Sequence, residues 1–327
     1  MSPRISAPRA YTQAVRDYLG HFRSLGARYR GVECILRRLG VFLSQQAALD
    51  LDSSSYESWR ASLAMLHPNS RRKAEQIVHK FCRFRRRREP GAFVPSPDGF
   101  TRPRPYVRPV IIEPEQVSRM LAAADTLRPG NNSPLHAAVA RVATVLLYTA
   151  GLRCGEIKRL QVQDIEPGGV LRIRESKFHK SRLIALSKSA QKEVEQYLRL
   201  RARFATDSPD HGPFLCNRSR GAISAYSDPG FSSLIHRLYR LATVVDREGR
   251  TPRIHDMRHS FAVQSLLQAY RTKGGDPQAL LPKLALYMGH VSVESTMHYL
   301  KLAPQLALVA SRRFDAAYGQ KFLGGEP

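Results

Sequence analysis

The sequence predicts a mainly α-helical protein of two domains with one small β-hairpin. Three observations lead to this fold class: a length of 327 residues, apolar residues at helical spacing along most of the chain, and one short stretch of alternating residues. A proline-rich segment, residues 89–109, contains six prolines and separates residues 1–88 from residues 110–327. Because proline removes a backbone donor and favours extended chain, we expect this segment to be a linker.

Residues 10–88 predict four short helices. Apolar side chains recur three or four positions apart in four series, of which the first extends to Leu25 and the third to Leu66. The fourth series follows Pro68-Asn69-Ser70, a favourable start for a helix. Each helix would bury one apolar face, so we expect a small bundle. The series begin at Tyr11, Leu36, Tyr56 and Ile77.

Residues 110–327 predict further helices around the hairpin. The segment Glu113-Pro114-Glu115 opens a helix with acidic residues in its first turn, and residues 137–148 form a buried helix that ends before Gly151. Residues 170–174 and 182–186 alternate and predict two strands. Later helices are expected at about residues 188–204, 229–243, 256–270, 277–288 and 292–300, with an amphipathic segment at 306–318.

The charge balance predicts a polyanionic partner. Lys and Arg number 52 against 27 Asp and Glu, which gives a net charge of +25, while 43% of the residues are hydrophobic and suffice for folded cores. A charge that serves only solubility, or an anionic membrane, is disfavoured because no basic amphipathic helix stands apart from the rest. If the protein contacts several phosphates, its affinity for the partner should fall by about 10³–10⁵ when salt rises from low to moderate concentration.

The composition favours a cytoplasmic protein without membrane contact. The N-terminus lacks the apolar region of a secretion signal, and the most apolar stretch, residues 137–152, is too short for a membrane span and contains Arg141. The cysteines are far apart and form no CxxC pair, which argues against a zinc site or disulfides and fits a reducing cytosol. They are Cys34, Cys82, Cys154 and Cys216.

The fourth N-terminal helix carries a cluster of positive side chains. Such a run is usually a solvated helix face, but Asp and Glu are scarce around this one, so we expect it to contact phosphates. The candidates are Arg71, Arg72, Lys73, Lys80, Arg83, Arg85, Arg86, Arg87 and Arg88.

Five polar signals and a tyrosine follow one another along the second half of the chain. Arginine suits phosphate because its planar fork holds two oxygens at once, and a phenol near positive charge can act as a nucleophile. Glu156, three residues after the first arginine, can orient it, although alone this pair would suggest a surface salt bridge. The ordered residues are Arg153, Lys177, His255, Arg258, His290 and Tyr299.

In this order and in these surroundings, the six residues resemble the catalytic set of tyrosine recombinases, the integrase family that cuts and rejoins DNA. The motifs that carry the resemblance are Ala150-Gly151-Leu152-Arg153, His255-Asp256-Met257-Arg258, Gly289-His290 and Tyr299. The resemblance implies an N-terminal helical core-binding domain of the SAM-like type at residues 1–88. It also implies a catalytic domain at residues 110–327, and the two would close around a duplex as a C-shaped clamp.

The resemblance also implies a role for each residue. Tyr299 would attack the phosphorus and form a 3′-phosphotyrosyl bond, while the arginines and histidines hold the phosphate. Lys177, in the hairpin, would protonate the leaving 5′ oxygen; Lys180 is the alternative and is otherwise expected to contact DNA. His259 is expected to pack or to form hydrogen bonds. Tyr270 and Tyr287 lie within apolar helix patterns and are expected at the core or its boundary.

The sequence contains no metal-ligand cluster, no converging pair of carboxylates and no P-loop. We therefore expect a reaction that needs no metal, ATP or other cofactor. The resemblance implies double-stranded DNA as partner and a homo-tetramer on two DNA sites, or an assembly that includes partner recombinases. A C-terminal docking face would comprise Leu306, Val309 and Phe314.

The interval from Arg258 to His290 is long for the family, and the extra residues form a loop at residues 271–277. With this loop the chain resembles recombinases of transposons and other mobile elements more than those that resolve chromosome dimers. The resemblance also implies a bacterial protein associated with the nucleoid. Two alternatives stay open from the sequence. One is an enzyme like the type IB topoisomerases, which share the tyrosine chemistry; the other is a DNA-binding recombination factor without catalysis.

Overall fold

The computed structural model of the protein describes residues 8–27, 29–130, 133–174, 181–205, 211–219, 222–272, 277–289, 294–301 and 311–312. The chain divides into two compact units, Met1–Val107 and Arg108–Pro327. The division falls inside the proline-rich segment.

The first unit contains the four predicted helices. Their apolar faces meet in a core rich in aromatic rings, where the Tyr11 hydroxyl donates a hydrogen bond to the carbonyl of Leu36 at 2.8 Å. The predicted burial of Leu25 and Leu66 is wrong: these side chains are 69% and 45% exposed, because the helices end before them. The helices are α1 (Arg9–Ser24), α2 (Arg30–Gln45), α3 (Ser53–Ser62) and α4 (Pro68–Arg86).

Much of the proline-rich segment is held against α4. The Pro95 carbonyl lies 2.8 Å from His79 Nδ1, and the Thr101 amide and hydroxyl donate to the buried Glu75 carboxylate at 2.7 and 2.8 Å. The Arg104 amide donates to Asn69 Oδ1 at 2.8 Å. Donors between the prolines thus find acceptors on the helix, and this part of the segment belongs to the first unit.

The second unit is built around one helix, His136–Thr149, which is buried as predicted. Side chains of three other helices and of the hairpin strands pack with it in one apolar core. The last predicted helix is a short α-helix continued by a 3-10 turn at His298–Lys301. The helices are α5 (Pro114–Asp125), α6 (His136–Thr149), α7 (Cys154–Arg159), α8 (Lys188–Phe204), α9 (Asp228–Leu241), α10 (Ile254–Arg271), α11 (Pro277–Met288) and α12 (Glu294–Met297).

The predicted hairpin is confirmed and extended. Strands β1 (Ile165–Glu166), β2 (Val170–Ile173) and β3 (Arg182–Ala185) form an antiparallel sheet in that order. A second antiparallel pair, β4 (Cys216–Ser219) with β5 (Ala222–Ala225), was not predicted from the sequence. These strands are short and consist largely of small and polar residues, so the apolar alternation that reveals a strand is weak there.

Gly151 makes the turn from α6 into α7 and lies against Phe261. Its φ is +58°, and a Cβ built on it would lie 2.4 Å from a ring carbon of Phe261. Gly151→Ala should therefore lose about 2–4 kcal/mol of unfolding free energy, from left-handed strain and from overpacking. Gly249→Ala is the matched control, because Gly249 has φ +76° but open space around it. If Gly151→Ala and Gly249→Ala lose the same stability in urea titrations, Phe261 does not restrict the turn.

Candidate active site

Arg153 is fixed by the carboxylate of Glu156, as the sequence predicts. Arg153 is the N-cap of α7, and its amide donates to Glu156 Oε2 at 2.9 Å. Its guanidinium donates to Glu156 Oε1 at 2.7 Å and to the Gly289 carbonyl at 2.8 Å. The Arg153 side chain is 24% exposed, whereas that of Glu156 is 1% exposed. The guanidinium is thus held in one orientation while it stays partly open to solvent.

Arg258 lies in the first turns of α10 and is buried, with 1% of the residue exposed. Its guanidinium donates to the carbonyls of Gly151 and Met288. Burial, followed by the positive charge of Arg153, lowers the pKa of Arg258 to about 10, although Glu156 and Tyr299 partly oppose this. The group is still a cation at neutral pH, and a second cation beside it makes the region favourable for an anion.

His255, His259 and Tyr299 form a row of rings. The centroids of His255 and His259 are 4.7 Å apart, and those of His259 and Tyr299 are 5.4 Å apart. Tyr299 is 3% exposed and packs with apolar residues of α10 and α11. Burial, and then the charge of Arg258, lowers the pKa of His255, so this ring is neutral at pH 7. The predicted packing role of His259 is confirmed by its position between the two rings.

His259 should make the folded protein sensitive to acid. Burial, and then His255, lowers the pKa of His259 to about 4, so the unfolded chain takes up this proton at a higher pH than the folded protein. The free energy of unfolding should fall by about 1–2 kcal/mol as the pH drops from 6.5 to 4. This loss is smaller than full burial would give, because the His259 ring is partly in contact with solvent. The urea midpoint of His259→Gln should not show this loss of stability between pH 6.5 and 4. His67→Gln, a change at an exposed histidine, should show the same loss as the wild type.

The structure thus brings together four of the six predicted catalytic residues: Arg153, His255, Arg258 and Tyr299. The other predictions lie outside the described residues: Lys177, Lys180, His290, most of the 271–277 loop, and Leu306, Val309 and Phe314.

One contact of the site was not predicted. Arg182, the first residue of β3, donates to both oxygens of Glu156 at 3.0 and 2.9 Å, and to the carbonyl of Tyr287 at 2.8 Å. Burial of Glu156 acts to raise its pKa, but the hydrogen bonds and charges of Arg182 and Arg153 outweigh it and hold the pKa at about 2. Glu156 is therefore an anion at neutral pH.

The basic residues of α4 and directly after it differ in exposure and in internal bonds, and two exposed arginines also have partners: Arg86 donates to the Ala92 carbonyl at 3.0 Å, and Arg88 lies 3.6 Å from Asp17. Arg85 donates to both oxygens of Asp50, at 2.5 and 2.6 Å, and to Glu89 at 2.6 Å, so we leave it out of the proposed DNA contacts. Arg71 approaches Glu75 at 3.6 Å, and Arg72 donates to the Thr101 carbonyl. The exposed cations of the predicted set are Lys73, Lys80, Arg83, Arg86, Arg87 and Arg88.

The model of the phage integrase family matches residues 111–305. A putative integrase/recombinase of Sinorhizobium fredii, y4rB, is 31% identical over 321 residues, which cover 93% of this chain and 97% of the relative. The chain belongs to the phage integrase family. It is a tyrosine recombinase, as its residues predicted. The tyrosine recombinase XerD of Caulobacter vibrioides is 26% identical over 78% of each chain.

Solved structures show the same fold. The Tn1549 transposon integrase, in complex with circular-intermediate DNA, matches this recombinase with a TM-score of 0.59 and 16% identity over 90% of this chain and 94% of that one. XerH recombinase bound to difH substrate matches with a TM-score of 0.58 and 15% identity over 86% and 78% of the chains. Both support the predicted mainly helical architecture.

Three further findings concern disulfides, metal sites and membrane spans, which the sequence analysis considered. All four cysteines are free thiols in this recombinase. Among the residues described above, no three His, Cys, Asp or Glu side chains are grouped as metal ligands. Within the same part of the chain, no helix has the length and apolar character of a membrane span.

Proposed function

We propose that this recombinase cuts and rejoins DNA through a covalent bond between Tyr299 and a 3′ phosphate. The Tyr299 oxygen forms a bond to phosphorus as the bond from phosphorus to the 5′ oxygen breaks. The phenol loses its proton, and the departing 5′ oxygen gains one and leaves as a hydroxyl. The observation that supports this proposal is that Arg153, Arg258 and the ring row ending at Tyr299 come from separate elements to one place.

Arg153 and Arg258 would stabilise the charge of the phosphate in transit. Negative charge develops on the non-bridging oxygens, and preorganised donors act most strongly where water is excluded. Arg153 is oriented by a buried carboxylate and Arg258 by two carbonyls, so neither guanidinium must reorganise much when the phosphate arrives. Two such cations also favour loss of the proton from the attacking phenol.

Proton transfer is assigned to Lys177 and His255. Lys177 would protonate the 5′ oxygen, because an alkoxide leaves poorly, and such a donor contributes about 10²–10⁴ in rate. His255 is neutral at pH 7 because its pKa is lowered, so it can accept a hydrogen bond or a proton. His290, which follows Gly289, would add a third contact to the phosphate. This chemistry assigns no step to a metal ion or to ATP.

We further propose that the first unit, with the exposed cations of α4, is the core-binding domain. The enzyme would act as a tetramer on two sites in double-stranded DNA, in the bacterial cytoplasm and at the nucleoid. The match to a transposon integrase supports a role in moving a genetic element. Partner recombinases and the docking face Leu306, Val309 and Phe314 belong to the same proposal.

The exposed arginines of α4 give a test of DNA binding. Arg83 and Arg87 line a surface cavity of about 330 Å³. Arg83→Ala/Arg87→Ala should weaken binding at moderate salt and reduce the slope of log affinity against log salt by about 1–2. Arg85→Ala, which leaves Asp50 without its bonded cation, should instead reduce stability and keep the slope. Fluorescence anisotropy at several salt concentrations measures both.

The function itself is tested by strand joining. Purified enzyme is incubated with two labelled duplexes that carry the ends of the encoding element, with EDTA and without ATP. Recombinant strands joined between the duplexes support the proposal. Covalent cleavage and relaxation of supercoils without joining would favour activity like that of a type IB topoisomerase. Tight binding with no covalent product would favour a non-catalytic factor.

A further inference from the structure

We propose that Arg182 is a positioning residue that acts through Glu156 on the phosphate-binding guanidinium of Arg153. This inference rests on the proposed function and extends it to a residue outside the predicted catalytic set. Arg182 would contact neither the DNA nor the nucleophile. Its contribution would be the orientation of a group that does.

The geometry of Glu156 carries the proposal. Its two oxygens accept four hydrogen bonds: two from the Arg182 guanidinium, one from the Arg153 guanidinium and one from the Arg153 amide.

 The Arg182 contacts are 3.0 and 2.9 Å and the Arg153 contacts are 2.7 and 2.9 Å, so one carboxylate holds both arginines. Both Glu156 oxygens take part, which leaves the carboxylate one orientation.

Burial makes this arrangement depend on Arg182. The Glu156 side chain is 1% exposed and the Arg182 side chain is 10% exposed. A buried carboxylate that loses one of its two cations is destabilised as an anion, and Glu156 would keep only the Arg153 amide and guanidinium to hold its oxygens. The acceptor that sets the direction of the Arg153 side chain would then be held less firmly. Arg153 is the more exposed arginine of the pair and the one open to a phosphate.

Arg182 also ties Glu156 to the end of α11. Its Nε donates to the Tyr287 carbonyl at 2.8 Å, while Arg153 donates to the Gly289 carbonyl at 2.8 Å. Gly289 has φ +67°, and a Cβ there would lie 3.0 Å from the Arg182 guanidinium, so the absence of a side chain permits this approach. Three separate elements, α7, β3 and the end of α11, are therefore joined through one guanidinium.

The competing explanation is a salt bridge that serves only stability. Arg141 provides a matched control, because its guanidinium also donates to both oxygens of a glutamate on another helix, Glu193, at 2.8 and 2.7 Å. That pair lies between α6 and α8 and contacts none of the predicted catalytic residues in the part of the chain that the structure describes. Arg141→Gln and Arg182→Gln thus each remove a two-point arginine–glutamate pair, and the Arg141 pair is the more exposed, with side chains 29% and 22% exposed.

The test compares two substrates for Arg182→Gln. One carries an ordinary scissile phosphodiester, and the other a methylphosphonate, in which an uncharged methyl group replaces one non-bridging oxygen. If Arg182 acts through Arg153 on the charge of the phosphate, covalent adduct formation should fall by about 10- to 100-fold on the phosphodiester. On the methylphosphonate it should fall by less than about 3-fold relative to wild type, since less charge remains to be stabilised. Arg182→Lys, which lacks the planar fork, should behave like Arg182→Gln.

Each outcome decides the matter. Arg141→Gln should lose stability yet form adducts at the wild-type rate on both substrates. Equal losses for Arg182→Gln on both substrates would show a structural role only, and wild-type rates on both would show no role; either result overturns the inference. Failure of the wild-type enzyme to form any adduct would instead overturn the proposed function on which the inference rests.

Discussion

Tyr299→Phe should abolish strand exchange and leave DNA binding and folding unchanged. The variant lacks the oxygen that attacks phosphorus, and removal of an enzyme's nucleophile costs on the order of 10⁶ in rate. The ring stays in its apolar cluster, where Tyr299 is 3% exposed, so phenylalanine fits the same space. Joining of two labelled duplexes, measured beside anisotropy binding, separates the loss of chemistry from a loss of affinity.

Tyr287→Phe is the control for this prediction. Tyr287 stacks on Phe261 with centroids 5.5 Å apart, and its hydroxyl makes a long 3.4 Å contact with the Ala185 carbonyl. Strand exchange by this variant should be close to that of the wild type. Full activity of Tyr299→Phe, or loss of activity in Tyr287→Phe with retained folding, would show that the nucleophile is misplaced.

Arg258→Lys should reduce the cleavage rate by about 10²–10³, the size expected for loss of one preorganised donor to an oxyanion. Lysine keeps the charge but lacks the fork that donates to the carbonyls of Gly151 and Met288, so its ammonium cannot take the same place. Burial and Arg153 already lower the pKa of Arg258 to about 10, and a buried lysine in the same place loses its proton more readily.

Arg201→Lys is the matched control. Arg201 is also fully buried, and it donates to the carbonyls of Pro213 and His211, but it lies on α8 among residues outside the predicted catalytic set. Single-turnover rates on a saturating DNA substrate, corrected for the folded fraction, should fall for Arg258→Lys and stay normal for Arg201→Lys. A normal rate for Arg258→Lys would contradict its assignment to the phosphate.

The sequence predicted what local spacing determines. The helices follow from apolar periodicity, and the contact between Arg153 and Glu156 follows from a separation of three residues at a helix start. The burial of Leu25 and Leu66 was wrong because an apolar series can continue past the last turn of its helix. Periodicity shows which face is buried better than where the helix stops.

Contacts between distant residues were not predictable in the same way. Arg182 reaches Glu156 across 26 positions, and the Asp50 that binds Arg85 lies 35 positions earlier in the chain. A run of basic residues gives no sign of which member meets a carboxylate in the folded protein. The second hairpin, β4 with β5, escaped prediction because its small and polar residues carry little alternation.

Covalent trapping on a nicked suicide substrate tests the central claim most directly. The nick lets a short fragment diffuse away after cleavage, so that the protein stays bound to the DNA strand it has cut. We expect one adduct, in which mass spectrometry locates the nucleotide on Tyr299, with the phosphate at the 3′ end of the retained strand and a free 5′ hydroxyl on the released fragment. An adduct on another tyrosine, a 5′ linkage, or binding without any adduct would contradict the account.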